Sequence, residues 1–233
     1  MVRLNQALAT YASDQERQNF GYHLVEPPVL DSLSALARVP QKNDLMLVGG
    51  TALSLYCHDK LPDGIRQTDD IDVNSRTYLT RSQFKNGMAI ALYQVLEKMG
   101  YEPFILKSHK DFSIRVIEQN SFNDAFYICV GRRSKVYREL SEKRIAREFE
   151  NAIEKKVPER EDKVLVARFE DALAPKIQML RSKDLGDISS AVKYGPEIDM
   201  KYLEDALVVW SGGSDTIATE HMEKFRKIKS RIY

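Results

Sequence analysis

A short apolar run, Leu45-Met46-Leu47-Val48, halts at a glycine pair, Gly49-Gly50, and a second short strand follows at Asp70-Ile71-Asp72-Val73. An apolar run of this length bounded by glycine reads as a buried strand. Between the two strands, Thr51 to His58 reads as a helix presenting Leu53, Leu55 and Tyr56. A glycine pair after a strand lets backbone approach a ligand where a Cβ would collide. Amides at the following helix N-terminus suit a phosphate, and the Thr51 hydroxyl adds a donor. Asp70 and Asp72 stand at i and i+2, so on a strand both project from one face. Side-by-side carboxylates repel, and a divalent cation relieves the repulsion; Mg²⁺ takes one or two carboxylates and completes its shell with phosphate oxygens. A metal pair about 3.5–4 Å apart would polarise an α-phosphate and activate an attacking hydroxyl. Either half of this pattern is weak alone, because Gly-Gly turns are common and acids often end strands as turn residues. Their conjunction, with one helix between, is a much narrower target.

The remaining elements follow from periodicity. Pro27 to Arg38 reads as a helix with proline in its first turn, stopped by Pro40. Thr80 reads as an N-cap with Gln83 completing a capping box, opening a helix to Lys98 that Gly100 ends. Pro103 to Lys107, Phe112 to Gln119 and Ala125 to Val130 read as strands, the second by its alternation of Phe112, Ile114 and Val116 with Ser113 and Arg115. Val136 to Ile153 is charged, with apolar residues near helical spacing, and Val157 to Asp162 reads as a connection. Beyond it the sequence looks helical throughout: Glu170 to Arg181, Leu185 to Lys193, Tyr202 to Trp210 and Glu220 to Ile232. The expected fold class is α+β, a mixed sheet with flanking helices over residues 1–156 and a helical domain over 157–233.

Composition narrows the function classes. Lys+Arg at 35 nearly balance Asp+Glu at 34, which argues against a general nucleic-acid coat and leaves only local basic surfaces. Two such surfaces stand out: Arg132, Arg133, Lys135 and Arg138 after the strand ending at Val130, and Lys224, Arg226, Lys227, Lys229 and Arg231 near the C-terminus. Either suits an RNA backbone, although one-sided basic helices are usually just solvated. Cys57 and Cys129 form no Cys-x-x-Cys pattern, so neither zinc ribbon nor disulfide framework is expected and a reducing compartment, the cytoplasm, is. No apolar run reaches the roughly 18 residues that span a bilayer. The segment Met1 to Asn19 is polar and is expected to be neither leader nor anchor.

Leu47-Val48-Gly49-Gly50-Thr51-Ala52-Leu53, followed by Arg66-Gln67-Thr68-Asp69-Asp70-Ile71-Asp72-Val73, resembles the signature of the polymerase-β-like nucleotidyltransferases, and within them the abortive-infection AbiEii-type toxins. Lys176-Ile177, Leu180-Arg181, Lys183-Asp184 and Asp187-Ile188 resemble the superfamily's C-terminal block. The resemblance implies a nucleotidyltransferase fold and transfer of a nucleotidyl group from an NTP to an acceptor, with Mg²⁺ or Mn²⁺. It further implies a tRNA or other RNA as acceptor and a cognate antitoxin as partner. It assigns Asp70 and Asp72 to metal binding and catalysis, and Gly49, Gly50, Thr51 and Arg66 to the nucleotide. Lys176 and Arg181 become nucleotide clamps, with Lys176 and Asp184 counted as catalytic. Taken alone, Lys176 and Arg181 would read as a solvated helical face and Asp184 as a helix cap. The family often carries a third carboxylate on a later strand. Ala125 to Val130 offers Tyr127 and Cys129 there, so Asp124 at its start is the candidate third metal ligand, with Glu118 behind it. That departure keeps a second reading open, a catalytically inactive relative acting as a nucleotide-binding or partner subunit.

Overall fold

A computed structural model describes residues 22–77, 83–107, 112–118, 125–130 and 138–232. Helix α1 (Pro27–Arg38) starts on its prolines and buries Val29, Leu30, Leu33 and Leu36. Strand β1 (Leu45–Leu47) is buried throughout and leads directly into helix α2 (Gly49–Cys57). The helix therefore begins at the glycine pair rather than at Thr51. Strand β2 (Asp70–Ser75) follows, and a π-helical turn at Phe84–Met88 runs into helix α3 (Ala89–Lys98). The expected cap at Thr80 lies outside the described residues. Strands β3 (Tyr101–Lys107), β4 (Phe112–Glu118) and β5 (Ala125–Val130) occupy the three expected segments.

Beyond β5 lie helix α4 (Arg138–Glu150), strands β6 (Ile153–Lys156) and β7 (Lys163–Val166), and four helices: α5 (Phe169–Met179), α6 (Ser182–Tyr194), α7 (Met200–Trp210) and α8 (Asp215–Ile232). The stretch after residue 157, expected to be helical throughout, opens instead with β7. The reason is tertiary. Leu47 pairs in parallel with Val166, so β7 extends the sheet beside β1, and β6 folds back on it as an antiparallel edge. Residues 156 and 157, the expected domain boundary, fall inside this hairpin.

Among the described residues, seven strands form one mixed sheet in the order β3-β4-β5-β2-β1-β7-β6. The centre is built on β2, antiparallel to β1 and parallel to β5. Ile71 and Val73 of β2, Ile128 and Val130 of β5 and Val166 of β7 point into a core that α1 and α3 close. Helix α2 packs on β2 and against α5 and α6, which brings the C-terminal helices over the start of β2. One hydrophobic cluster runs from Leu24 and Val29 through to Met222 and Phe225 of α8. Lys224, Arg226, Lys227 and Arg231 occupy the solvent side of α8, away from the buried Ala218, Met222 and Phe225. Among the described residues, no helix is long and apolar enough to cross a membrane.

Candidate active site at the start of strand β2

Alternation along β2 decides where its acids go. Ile71 and Val73 are buried, so Asp70 and Asp72 lie on the opposite side of the strand, Asp70 half-buried and Asp72 exposed. Asp72 also meets the turn before α2. Gly49 takes φ +70°, and a Cβ there would lie 2.8 Å from Asp72 Oδ2. Only glycine permits both the left-handed backbone and that approach. The Val48 amide donates to the Asp72 carbonyl at 3.0 Å, locking the turn to the strand.

Thr68 holds Asp70, its hydroxyl lying 2.8 Å from the Asp70 carbonyl and 3.3 Å from Oδ1. Burial, reinforced by the neighbouring Asp69 charge, raises the Asp70 carboxyl above its ordinary range against the pull of the Thr68 bond. Thr51 is 3% exposed and its hydroxyl donates inward to the Asp70 carbonyl at 3.4 Å. It supports the strand rather than presenting a donor to an incoming phosphate.

Parallel pairing places Cys129 of β5 opposite Asp72, and Tyr127 opposite Asp70. One ligand atom from each of Asp70, Asp72 and Cys129 lies within 4.8 Å of the other two. Two carboxylates and a thiol at that separation fit a divalent cation. Asp124, the expected third ligand, lies outside the described residues, as do Arg132, Arg133 and Lys135. Of Glu118 only the backbone is described, as the last residue of β4.

A charged array backs the glycine turn. A Cβ on Gly50 would lie 3.4 Å from Arg66 Nη2 and 4.0 Å from Asp187 Oδ2. Arg66 Nε donates to Asp187 Oδ1 at 3.0 Å. Lys176 Nζ lies 2.7 Å from Asp187 Oδ2 and 3.3 Å from Asp184 Oδ1, and Arg181 grips both oxygens of Asp184 at 2.7 and 3.1 Å. Asp184 also accepts the Arg181 backbone amide at 3.1 Å, so it caps α6 while it pairs. Burial alone would raise the Asp184 carboxyl, but the Arg181 hydrogen bond and the Lys176 charge outweigh it and hold it below the ordinary range.

Lys176 is 7% exposed, not on the solvated face that its sequence spacing suggested. The cause is the left-handed Leu180 (φ 47°), which ends α5 and swings α6 back so that Asp184 and Asp187 face Lys176. The exposed cations of the array are Arg66 and Arg181, with side chains 36% and 49% exposed. Asp187 belongs to the sequence block that resembles the superfamily, where by position it reads as an acid near a helix start; its pairing with Arg66 and Lys176 is a tertiary contact. Cys129, which the sequence places where a third carboxylate is expected without marking it as a ligand, is set directly opposite Asp72 by the strand register.

Comparison with known proteins adds the family. The model of a family described as "Nucleotidyl transferase AbiEii toxin, Type IV TA system" matches residues 31–229. Among solved structures, the chain is similar to MenT4, a nucleotidyltransferase toxin of Mycobacterium tuberculosis H37Rv, at 16% identity and TM-score 0.49, covering 80% of this chain and 64% of that one. It is also similar to an antigenic nucleotidyltransferase-like protein of Paracoccidioides brasiliensis at 18% identity and TM-score 0.49, covering 88% and 95%. This chain thus spans less than two thirds of the mycobacterial protein's length and nearly all of the fungal one's. No curated protein matches it.

Proposed function

Because the chain belongs to the AbiEii nucleotidyl transferase toxin family, we propose that it moves a nucleotidyl group from an NTP to an acceptor at the Asp70/Asp72 site. The observation that carries this reading is the approach of Asp72 to the left-handed Gly49, with Asp70 on the same face of β2. A bound Mg²⁺ or Mn²⁺ would neutralise phosphate charge and make the α-phosphorus a better electrophile. Asp70 and Asp72 would hold that ion. The Gly49-Gly50 turn gives the triphosphate a surface without side chains, and Arg66 and Arg181 supply exposed positive charge to phosphate oxygens at its edge. Lys176, enclosed by Asp184 and Asp187, acts chiefly as a positioning residue: it fixes the two aspartates that orient Arg66 and Arg181. The acceptor that best suits the family is an RNA, a tRNA 3′ end among the candidates, with a cognate antitoxin as protein partner.

Incubating the protein with each α-labelled NTP, Mg²⁺ or Mn²⁺ and total RNA tests the reading. Label transferred to RNA by the wild type and lost in Asp70→Asn and Asp72→Asn is the expected result. One observation favours a second reading, an inactive nucleotide-binding subunit: Cys129 stands opposite Asp72 where a carboxylate would complete the site. NTP binding without transfer to RNA, protein or small hydroxyl acceptors would select it.

A further inference from the structure

We propose that Cys129 is the third ligand of the Asp70/Asp72 cation site, making it an oxygen-and-sulfur site that binds a borderline-soft divalent cation of the Zn²⁺ and Co²⁺ class more tightly than the Mg²⁺ or Mn²⁺ that serves the proposed transfer. The inference rests on the metal-site reading above and adds the ligand that sets metal preference.

Three observations converge. Register places the Cys129 Cα opposite that of Asp72 in adjacent parallel strands, so both side chains leave the sheet on the same face. Phe126, Ile128 and Val130 of β5 are buried on the core side, which directs the alternate residue Cys129 toward the acids. Its sulfur lies within 4.8 Å of a carboxylate oxygen of both Asp70 and Asp72. Ligand atoms bound to one ion at about 2.0–2.3 Å stand roughly 3–4 Å apart, so small side-chain rotations close the set. Cys129 is half-buried, open enough to admit an ion, whereas Cys57 is fully buried at the end of α2, where burial pushes its thiol up to about 11.

Ligand chemistry then decides the ion. Mg²⁺ is hard and takes oxygen, whereas thiolate sulfur favours Zn²⁺ and its softer neighbours. On binding, the Cys129 S–H bond breaks, sulfur keeps the electron pair and donates it to the cation, and the proton leaves to solvent. No oxidation is involved.

Co²⁺ is the direct probe, because a thiolate ligand gives it an intense near-ultraviolet charge-transfer band that oxygen ligands do not. Titration of the full-length metal-free protein should raise that band, with Cys57→Ser keeping it and Cys129→Ser losing it. Cys129→Ser should weaken Zn²⁺ binding on the order of 10–100-fold and leave Mg²⁺ affinity little changed. Cys129→Asp, which restores a carboxylate, should narrow the gap between Zn²⁺ and Mg²⁺ affinity. Co²⁺ bound by the wild type without the band, or a band that survives Cys129→Ser, overturns the inference alone. Co²⁺ affinity unaffected by Asp70→Asn, or no Co²⁺ binding at all, overturns the metal-site reading beneath it.

Discussion

Lys176 Nζ stands 2.7 Å from Asp187 Oδ2, with the two side chains 9% and 0% exposed. An ion pair shut away from water has large opposing terms. Desolvation costs nearly as much as attraction returns, so the intact pair adds little, whereas removing one partner strands a buried charge.

Lys176→Ala should therefore destabilise the fold, toward the lower end of about 3–5 kcal/mol, since Arg66 and Arg181 still neutralise part of the aspartate charge. Urea denaturation measures it. Wild-type stability in the mutant would mean that water or a displaced arginine reaches the aspartates. Nucleotide affinity should fall as well, through the loosened arginines rather than a lost contact.

The two glycines of the turn should answer differently to the same substitution. Gly49→Ala forces a Cβ to 2.8 Å from Asp72 Oδ2 at φ +70°. It should cost roughly 1–3 kcal/mol and displace the carboxylate, lowering metal affinity. Gly50→Ala meets the far end of Arg66 at 3.4 Å and touches Asp187 Oδ2 only at an ordinary 4.0 Å, and should be nearly neutral for stability. Melting both variants with and without divalent cation separates the two effects. Equal stability of the two variants would remove the case for a special role of Gly49.

Asp72→Asn should abolish transfer without unfolding the protein. The side chain is exposed and shares its face with the charged Asp70, so an isosteric amide relieves repulsion in the metal-free state. Stability without metal should hold or rise, as often happens when a functional site gives up strain. The stabilisation by Mg²⁺ and NTP should disappear, because an amide oxygen lacks the charge that draws a cation from its water shell. A large drop in metal-free melting temperature would instead make Asp72 a structural acid.

Glu148 of α4 should make stability fall as pH rises. Burial, with the Asp171 charge adding to it, pushes its carboxyl up to about 7 from an ordinary 4.5, against the pull of Arg144 and of the Asn74 amide bonded at 3.2 Å. Between those values the folded state holds a proton that the unfolded chain has released. The contribution is full below pH 4.5 and is lost as pH climbs through 7. Its size is on the order of 3 kcal/mol. Glu148→Gln should flatten the stability–pH curve between pH 5 and 8 and be the more stable form at pH 8. Denaturation at both pH values checks it; parallel curves for the two proteins would refute the assignment.

Sequence by itself determined whatever depends on local periodicity and backbone chemistry. The apolar runs, proline starts and period-2 alternation marked α1, β1, β2, β4 and β5 to within a residue or two. The i, i+2 spacing put Asp70 and Asp72 on one face, and the glycine pair marked the turn that meets them. Strand β6 escaped notice because Ile153-Glu154-Lys155-Lys156 has no apolar face, and β7 because a run as short as Val164-Leu165-Val166 cannot be told from a buried helical segment by periodicity alone. An edge strand like β6 is held by backbone hydrogen bonds to β7, which no local pattern encodes. Tertiary structure decided the rest of the site. Arg66 and Asp187 are 121 residues apart in the chain and 3.0 Å apart in space. Lys176 looks like a surface lysine until the left-handed Leu180 turns α6 back over it. Cys129 becomes a neighbour of Asp72 only through the register of two parallel strands, where a shift of one residue would have sent it to the core.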